Sequence, residues 1–290
     1  LGAEMGATTS VFPSDEVVHQ FFINQQREED WIELLPDEDA TYDEEIIINL
    51  NELTPLVAQP DMPDNVIANK DLPTQVKIDQ VFIGSCTNAS YTDLAKAAAI
   101  LKGHTVHPDV SLVVAAGSRQ IFSMALRDGI ISTLVDAGAR ILECGCGPCV
   151  GIGQAPRTNG VSLRTSNRNF KGRSGTLDAS IYLSSPEVAA ISALKGYITD
   201  PITEGVTDVL SQVTEPIRYV VDDTMIIPPS DTTDDVEIVR GPNIKPMPIN
   251  EPLPTSIQAH VSAYRPDNIT TDDITPALSL IHISEPTRPY

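Results

Sequence analysis

Between Val76 and Glu143 the chain changes its hydrophobic period repeatedly, and this alternation limits its possible folds more than any other feature. Lys77 to Gly84 is an apolar run of strand length, Asp93 to Leu101 an alanine-rich helical segment, and Val110 to Ala116 a second strand. Ser118 to Arg127 and Ile131 to Ala137 read as helices, Ala139 to Glu143 as a third strand and Val161 to Thr165 as a further one. Strands alternating with helices of this length predict an α/β fold with a parallel sheet. Ser185-Pro186-Glu187 is a helix start, with serine as cap and proline at the first helical position. That helix is expected to run to about Leu194, before Gly196.

The flanks are less regular. Ser14 is a candidate N-cap, with Asp15 and Glu16 in the first turn of a helix carrying Val17, Val18, Phe21 and Phe22. A polar, proline-dotted stretch of weak pattern follows to about Pro73. Beyond Asp200, Pro228, Pro229, Pro242, Pro246, Pro248, Pro252 and Pro254 mark an extended connector. After it, HVSAYRPDNITTDDITPA opens a new pattern.

The 290 residues carry a formal charge of -21, which argues against a nucleic-acid partner because phosphate binding needs a basic face. Ten acidic residues lie between Glu28 and Glu45 and read as a solvated surface segment. No apolar run approaches the ~20 residues of a membrane helix, and no charged-then-apolar signal opens the chain. Three of the four cysteines fall within Cys144 to Cys149, which is not a disulfide framework. A C-x-x-C beside strand–helix units points to metal or redox chemistry in a reducing compartment, so a cytoplasmic location without a membrane partner is expected.

Cys86, in VFIGSCTN, and the pair Cys146 and Cys149, in CGPCVG, both follow predicted strands through glycines. Ligand crevices in parallel α/β folds form at the carboxyl ends of strands. Three thiolates suit a four-iron cluster in which one iron has no protein ligand and is free to act as a Lewis acid. Two rivals stand beside this reading. A structural zinc site wants four closed ligands, and Cys144 is poorly spaced from Cys146 to complete one. A redox C-x-x-C has no need of Cys86. Cys144 itself reads as a small buried residue. In SNRNFKGRSG, Arg168 and Arg173 flank Gly172 in a loop after a strand, where two guanidinium groups can grip carboxylates bidentately. Asn167 and Asn88 are polar neighbours for a cluster or substrate. Glu4 is a candidate base or hydroxyl ligand. The five histidines sit in no motif.

Taken together, IGSCTN, CGPCVG, SNRNFKGRSG, GAEMGATTSVFP and YLSSPEVAA resemble the aconitase superfamily of iron–sulfur hydro-lyases, from residue 1 to about 277. The resemblance implies an α/β, three-layer αβα domain and a [4Fe-4S] cluster held by Cys86, Cys146 and Cys149. It further implies substrate-gripping arginines at Arg168 and Arg173, a cluster-proximal asparagine at Asn167 (beside the polar neighbour Asn88), an iron-side glutamate at Glu4 and a catalytic-region aspartate at Asp272. It divides the chain into the end of a preceding α/β domain (1–73), a cluster-binding α/β domain (74–205), a linker (206–255), the start of a swivelling domain (256–277) and a non-native tail (278–290). Because the connector is fused to the start of that swivelling domain, the expected reaction is interconversion of citrate and isocitrate through cis-aconitate. Homoaconitase or the 3-isopropylmalate dehydratase large subunit is the alternative, and a non-catalytic metal- or cluster-binding module is a reading of another class. The resemblance also implies an internal fragment without the family's N-terminal domain and most of the swivelling domain, inactive alone.

Overall fold

The computed structural model describes residues 7–72, 75–232, 237–265, 267 and 269. It divides into a unit over residues 1–227 and a second over 228–290. The described residues of the second unit, rich in proline, carry neither helix nor strand and are exposed.

The first unit is built on a seven-stranded sheet. Its strands are β1 (Leu56–Ala58), β2 (Val66–Ala68), β3 (Gln80–Ile83), β4 (Ser111–Ala115), β5 (Arg140–Leu142), β6 (Val161–Arg164) and β7 (Ser180–Leu183). Their order across the sheet is β2-β1-β7-β6-β3-β4-β5. The five strands from β7 to β5 run parallel, and β1 is antiparallel to both β2 and β7. The parallel α/β expectation therefore holds, with an antiparallel hairpin added at one edge. That hairpin lies in the stretch before Pro73 whose pattern is weak, because strands of three residues are too short to show a period.

Helices begin where side chains satisfy their free amides. In α2 (Tyr91–Leu101), Ser90 and Asp93 form a reciprocal capping box. Ser118 caps α3 (Arg119–Arg127), and α4 spans Ile130–Asp136. Ser185 caps α5 (Pro186–Lys195), with Pro186 at the first position and Gly196 closing the helix in the left-handed region. At α1 (Glu16–Asn24) the cap is Asp15, whose carboxylate accepts from the Val17 and Val18 amides. Ser14, the expected cap, is instead bridged to Leu34. The short helix α6 (Thr207–Leu210) and buried Tyr219 also belong to this unit.

Winding direction decides which face of the sheet each connection covers. From β3 the chain moves to β4 and then β5, and α2 and α4 pack on one face over Val81, Ile83, Leu112 and Val114. After β5 the chain reverses, returning past β3 to β6 and then β7. Crossovers between parallel strands are right-handed, so reversing the winding sends the connection to the opposite face. The loop from Glu143 to Gly160, which carries the C-x-x-C, accordingly packs beneath the sheet against Phe82, Val113 and Ala115.

Candidate functional site

All four cysteines are free thiols, and the loops carrying them leave the carboxyl ends of β3 and β5, either side of β4. Cys86 follows Ser85, whose φ of 81° puts a non-glycine residue in the left-handed region. Such strain persists only where surroundings enforce it. The residue before Ser85, Gly84, is held by Thr165, which follows β6. Its hydroxyl accepts from the Gly84 amide at 2.9 Å and donates to the Gly84 carbonyl at 3.0 Å. Asn88 Nδ2 donates to the Thr165 carbonyl at 2.7 Å, tying the loops after β3 and β6 together. Cys86 is left exposed at the tip.

Cys146 is exposed, while Cys149 sits in the short 3-10 turn Pro148–Val150 and is buried at 5% exposure. Cys144 is exposed, correcting the expectation of a small buried residue. It precedes the turn that drives Cys149 inward, and partial burial pushes its thiol above the ordinary value. Gly151, at φ 91°, closes this turn against the arginine loop. A Cβ there would sit on the Ser174 carbonyl oxygen, so only glycine allows the two backbones to meet.

That close approach brings Arg173 over the thiol. Its Nη2 donates to Cys149 Sγ at 3.6 Å, and its guanidinium lies 5.8 Å from the Phe170 ring centroid. Arg173 Nε, Ser166 Oγ and Ser174 Oγ are buried polar atoms without a hydrogen-bond partner. Orphaned buried donors are uncommon and costly, and they mark places where a bound group would be satisfied. Arg168 is exposed and Asn167 half-buried in the same loop. Asn88 and Asn167 line a cavity of about 670 Å³ with Leu56, Leu183, Ser185 and Ile202, and no cysteine or arginine is among its lining residues.

The structure thus brings Arg173 to Cys149 and places Cys86, Cys146 and the arginine loop on one edge of the sheet. Among the described residues, no three histidine, cysteine or carboxylate side chains gather closely enough to hold a single metal ion. Thiolates that bind separate irons of a cubane need not converge on one point, whereas zinc requires it. Free thiols with an arginine donor on one sulfur are a donor set compatible in chemistry with a polynuclear sulfide cluster. Glu4 and Asp272 lie outside the described residues.

Sequence reasoning missed Arg164, Thr165 and the orphaned serines. Arg164 was discoverable, since a cation closes the otherwise inward-facing run VSLR of β6. No helix among the described residues is long and apolar enough to cross a membrane.

A parallel α/β domain whose carboxyl edge carries four free thiols and a guanidinium-bearing loop is a ligand-binding class of fold. The chain belongs to the aconitase family: residues 1–196 match the family described as Aconitase family (aconitate hydratase). Members of this family bind a four-iron, four-sulfur cluster. The chain is 47% identical over 203 residues to the 3-isopropylmalate dehydratase large subunit 1 of Thermotoga maritima, covering 69% of this chain and 49% of the relative. It is 43% identical over 211 residues to the methanogen homoaconitase large subunit of Methanocaldococcus jannaschii, covering 70% and 50%. With the homoaconitase large subunit of Thermus thermophilus it shares 46% over 203 residues, covering 69% and 47%. The chain spans about half the length of the curated relatives it matches. Citrate–isocitrate specificity, expected from the fused connector, has no support in these relatives; the alternative does. The connector lies beyond the 196 residues that carry the family match.

Proposed function

We propose that this chain is the cluster-binding part of a hydro-lyase of the 3-isopropylmalate dehydratase or homoaconitase type. The observation that carries the reading is the 3.6 Å contact from Arg173 Nη2 to Cys149 Sγ, on the edge of the sheet shared with Cys86 and Cys146. On this reading the three cysteines hold a [4Fe-4S] cluster within residues 74–205. When bound, the cluster supplies a Lewis acid at the iron that lacks a protein ligand.

The chain's own residues bind and orient the substrate. The Arg173 fork contacts Cys149 through one Nη, while its buried Nε is a donor still unmet. With Arg168 in the same loop it offers two planar guanidinium groups to the carboxylates of a hydroxy acid. Asn88, fixed by the Thr165 carbonyl, and Asn167 border the adjoining cavity and supply neutral polar contacts. Glu4 is assigned to the iron side of the site and Asp272 to the start of a swivelling domain over residues 256–277. The matched relatives are named as large subunits.

Anaerobic reconstitution with iron and sulfide tests the site. Four irons per chain, with one lost on mild oxidation, is the expected result. Stoichiometric zinc without sulfide overturns it and leaves a metal-binding module. For substrate, the full-length gene product is expected to turn over 3-isopropylmalate or homoaconitate faster than citrate. Faster turnover of citrate overturns that choice.

A further inference from the structure

Beneath the C-x-x-C loop, on the face of the sheet opposite α2, α4 and α5, lies a cation that the reaction described above does not use. Arg164, the last residue of β6, is fully buried at 0% exposure, and its hydrogen-bond acceptors are neutral oxygens. Its Nε donates to Ser162 Oγ at 3.0 Å and its Nη2 to Gln80 Oε1 at 2.7 Å. Ser162 Oγ in turn donates to Gln80 Oε1 at 2.7 Å. Gln80 and Ser162 are register partners on β3 and β6, as are Phe82 and Arg164. The guanidinium carbon passes 5.5 Å from the centroid of the Phe82 ring.

From this anchored base the fork reaches up into the loop. Nη1 donates to the Pro148 carbonyl at 2.7 Å and Nη2 to the Gln154 carbonyl at 2.9 Å. These two carbonyls bracket Cys149 and the glycines Gly151 and Gly153. Burying a cation without a carboxylate is expensive, and apolar residues of similar volume would fill the space more favourably. The two loop carbonyls, spaced for a planar fork, give the guanidinium a role that such a residue lacks. Burial lowers the Arg164 pKa to about 10, so the group stays charged near neutral pH.

We propose that Arg164 is a positioning residue: it clamps the Pro148–Gln154 loop from beneath and thereby holds Cys149 inward, at the depth where Arg173 meets it from the other side. The inference rests on the site reading for its purpose, yet it is testable without a cluster. The experiment compares wild type, Arg164→Met, Arg164→Lys and Ser162→Ala, reading alkylation of each cysteine by iodoacetamide with peptide mass spectrometry. In the folded apoprotein Arg164→Met is expected to speed alkylation of Cys149 by at least about tenfold, the ratio for losing a contact worth about 1.4 kcal/mol, with Cys86 unchanged. Arg164→Lys does not restore protection, because one ammonium cannot span both carbonyls. Ser162→Ala, which keeps the cation and both loop bonds, is expected to give a rise of only about twofold, and it carries the test if Arg164→Met fails to fold. Equal acceleration at Cys86 and Cys149, full protection in Arg164→Lys, or an unchanged Cys149 rate in Arg164→Met each overturns the clamp. On reconstitution with iron and sulfide, Arg164→Met is expected to lose iron faster than wild type, and equal retention also overturns the inference. If wild type itself takes up no cluster, the site reading fails while the alkylation result still decides the clamp.

Discussion

On the face of the sheet under α2, α4 and α5, the central strands present Val81, Ile83, Leu112, Val114 and Leu163, all buried in one apolar cluster. From the other face the same strands present Gln80, Phe82, Val113, Ala115, Ser162 and Arg164. The first face meets helices whose amides are satisfied within themselves, so it needs only apolar packing. The second meets an irregular loop whose carbonyls require donors. The polar residues of β3 and β6 answer that need. Side chains one residue apart along a strand thus serve stability on one face and loop geometry on the other.

The contrast is broken most sharply by substitutions that strike one face and spare the other. Cys149→Ser in the full-length enzyme is expected to lower hydro-lyase activity by at least about 10³-fold, or about 4 kcal/mol of transition-state stabilisation, with an unchanged circular dichroism spectrum. Leu163→Ala, on the helix face, is expected to cost about 2–5 kcal/mol in denaturant unfolding while the relative alkylation rates of Cys86 and Cys149 stay as in wild type. If Leu163→Ala selectively exposed Cys149, the two faces would not be separable. Gly151→Ala forces a side chain into a left-handed position against the Ser174 carbonyl. Its expected cost is about 1–3 kcal/mol, accompanied by faster alkylation of Cys149.

Smaller effects refine the same division. Ser185→Ala removes the cap of α5 and is expected to cost about 1 kcal/mol, seen as a lower Tm with no change at any thiol. The weakest is the pair between α2 and α5, where Lys96 Nζ donates to Glu187 Oε1 at 2.9 Å. Burial pushes the Glu187 carboxyl up, but hydrogen bonds from Lys96, its own backbone and Ser185 outweigh it, leaving it below its ordinary value of 4.5. A depressed carboxylate stabilises fully above its ordinary value and loses that contribution as pH falls below 4.5 through the lowered one. Glu187→Gln is therefore expected to flatten the acid limb of the stability profile in that window, and an unchanged limb would remove the pair from the account.

Much of this is legible in the sequence alone. The strand runs at Lys77, Val110, Ala139 and Val161 each contain the observed strand, because buried parallel strands are continuously apolar. The starts of α3 and α5 were readable from Ser118 and from Ser185-Pro186, whose local chemistry acts without distant partners. The cap of α1 was misplaced by one residue, since Ser14 and Asp15 are both good caps and the pairing of Ser14 with Leu34 decides between them. The β1–β2 hairpin escaped notice because three-residue strands derive their stability from the sheet they join.

The amino-acid sequence by itself determined the alternation of strands and helices from Val76 to Thr165, the starts of α3 and α5 and the identity of the thiols and guanidinium groups, since each depends on residues near in the chain. Tertiary structure alone decided that Arg173 is the arginine that meets Cys149, that Cys144 stays outside, and that Arg164 lies buried beneath the loop. These follow from the reversal of winding after β5, which sends the cysteine loop across the face opposite the helices. No local pattern encodes that reversal, because it is a choice between sheet edges made when distant strands pair.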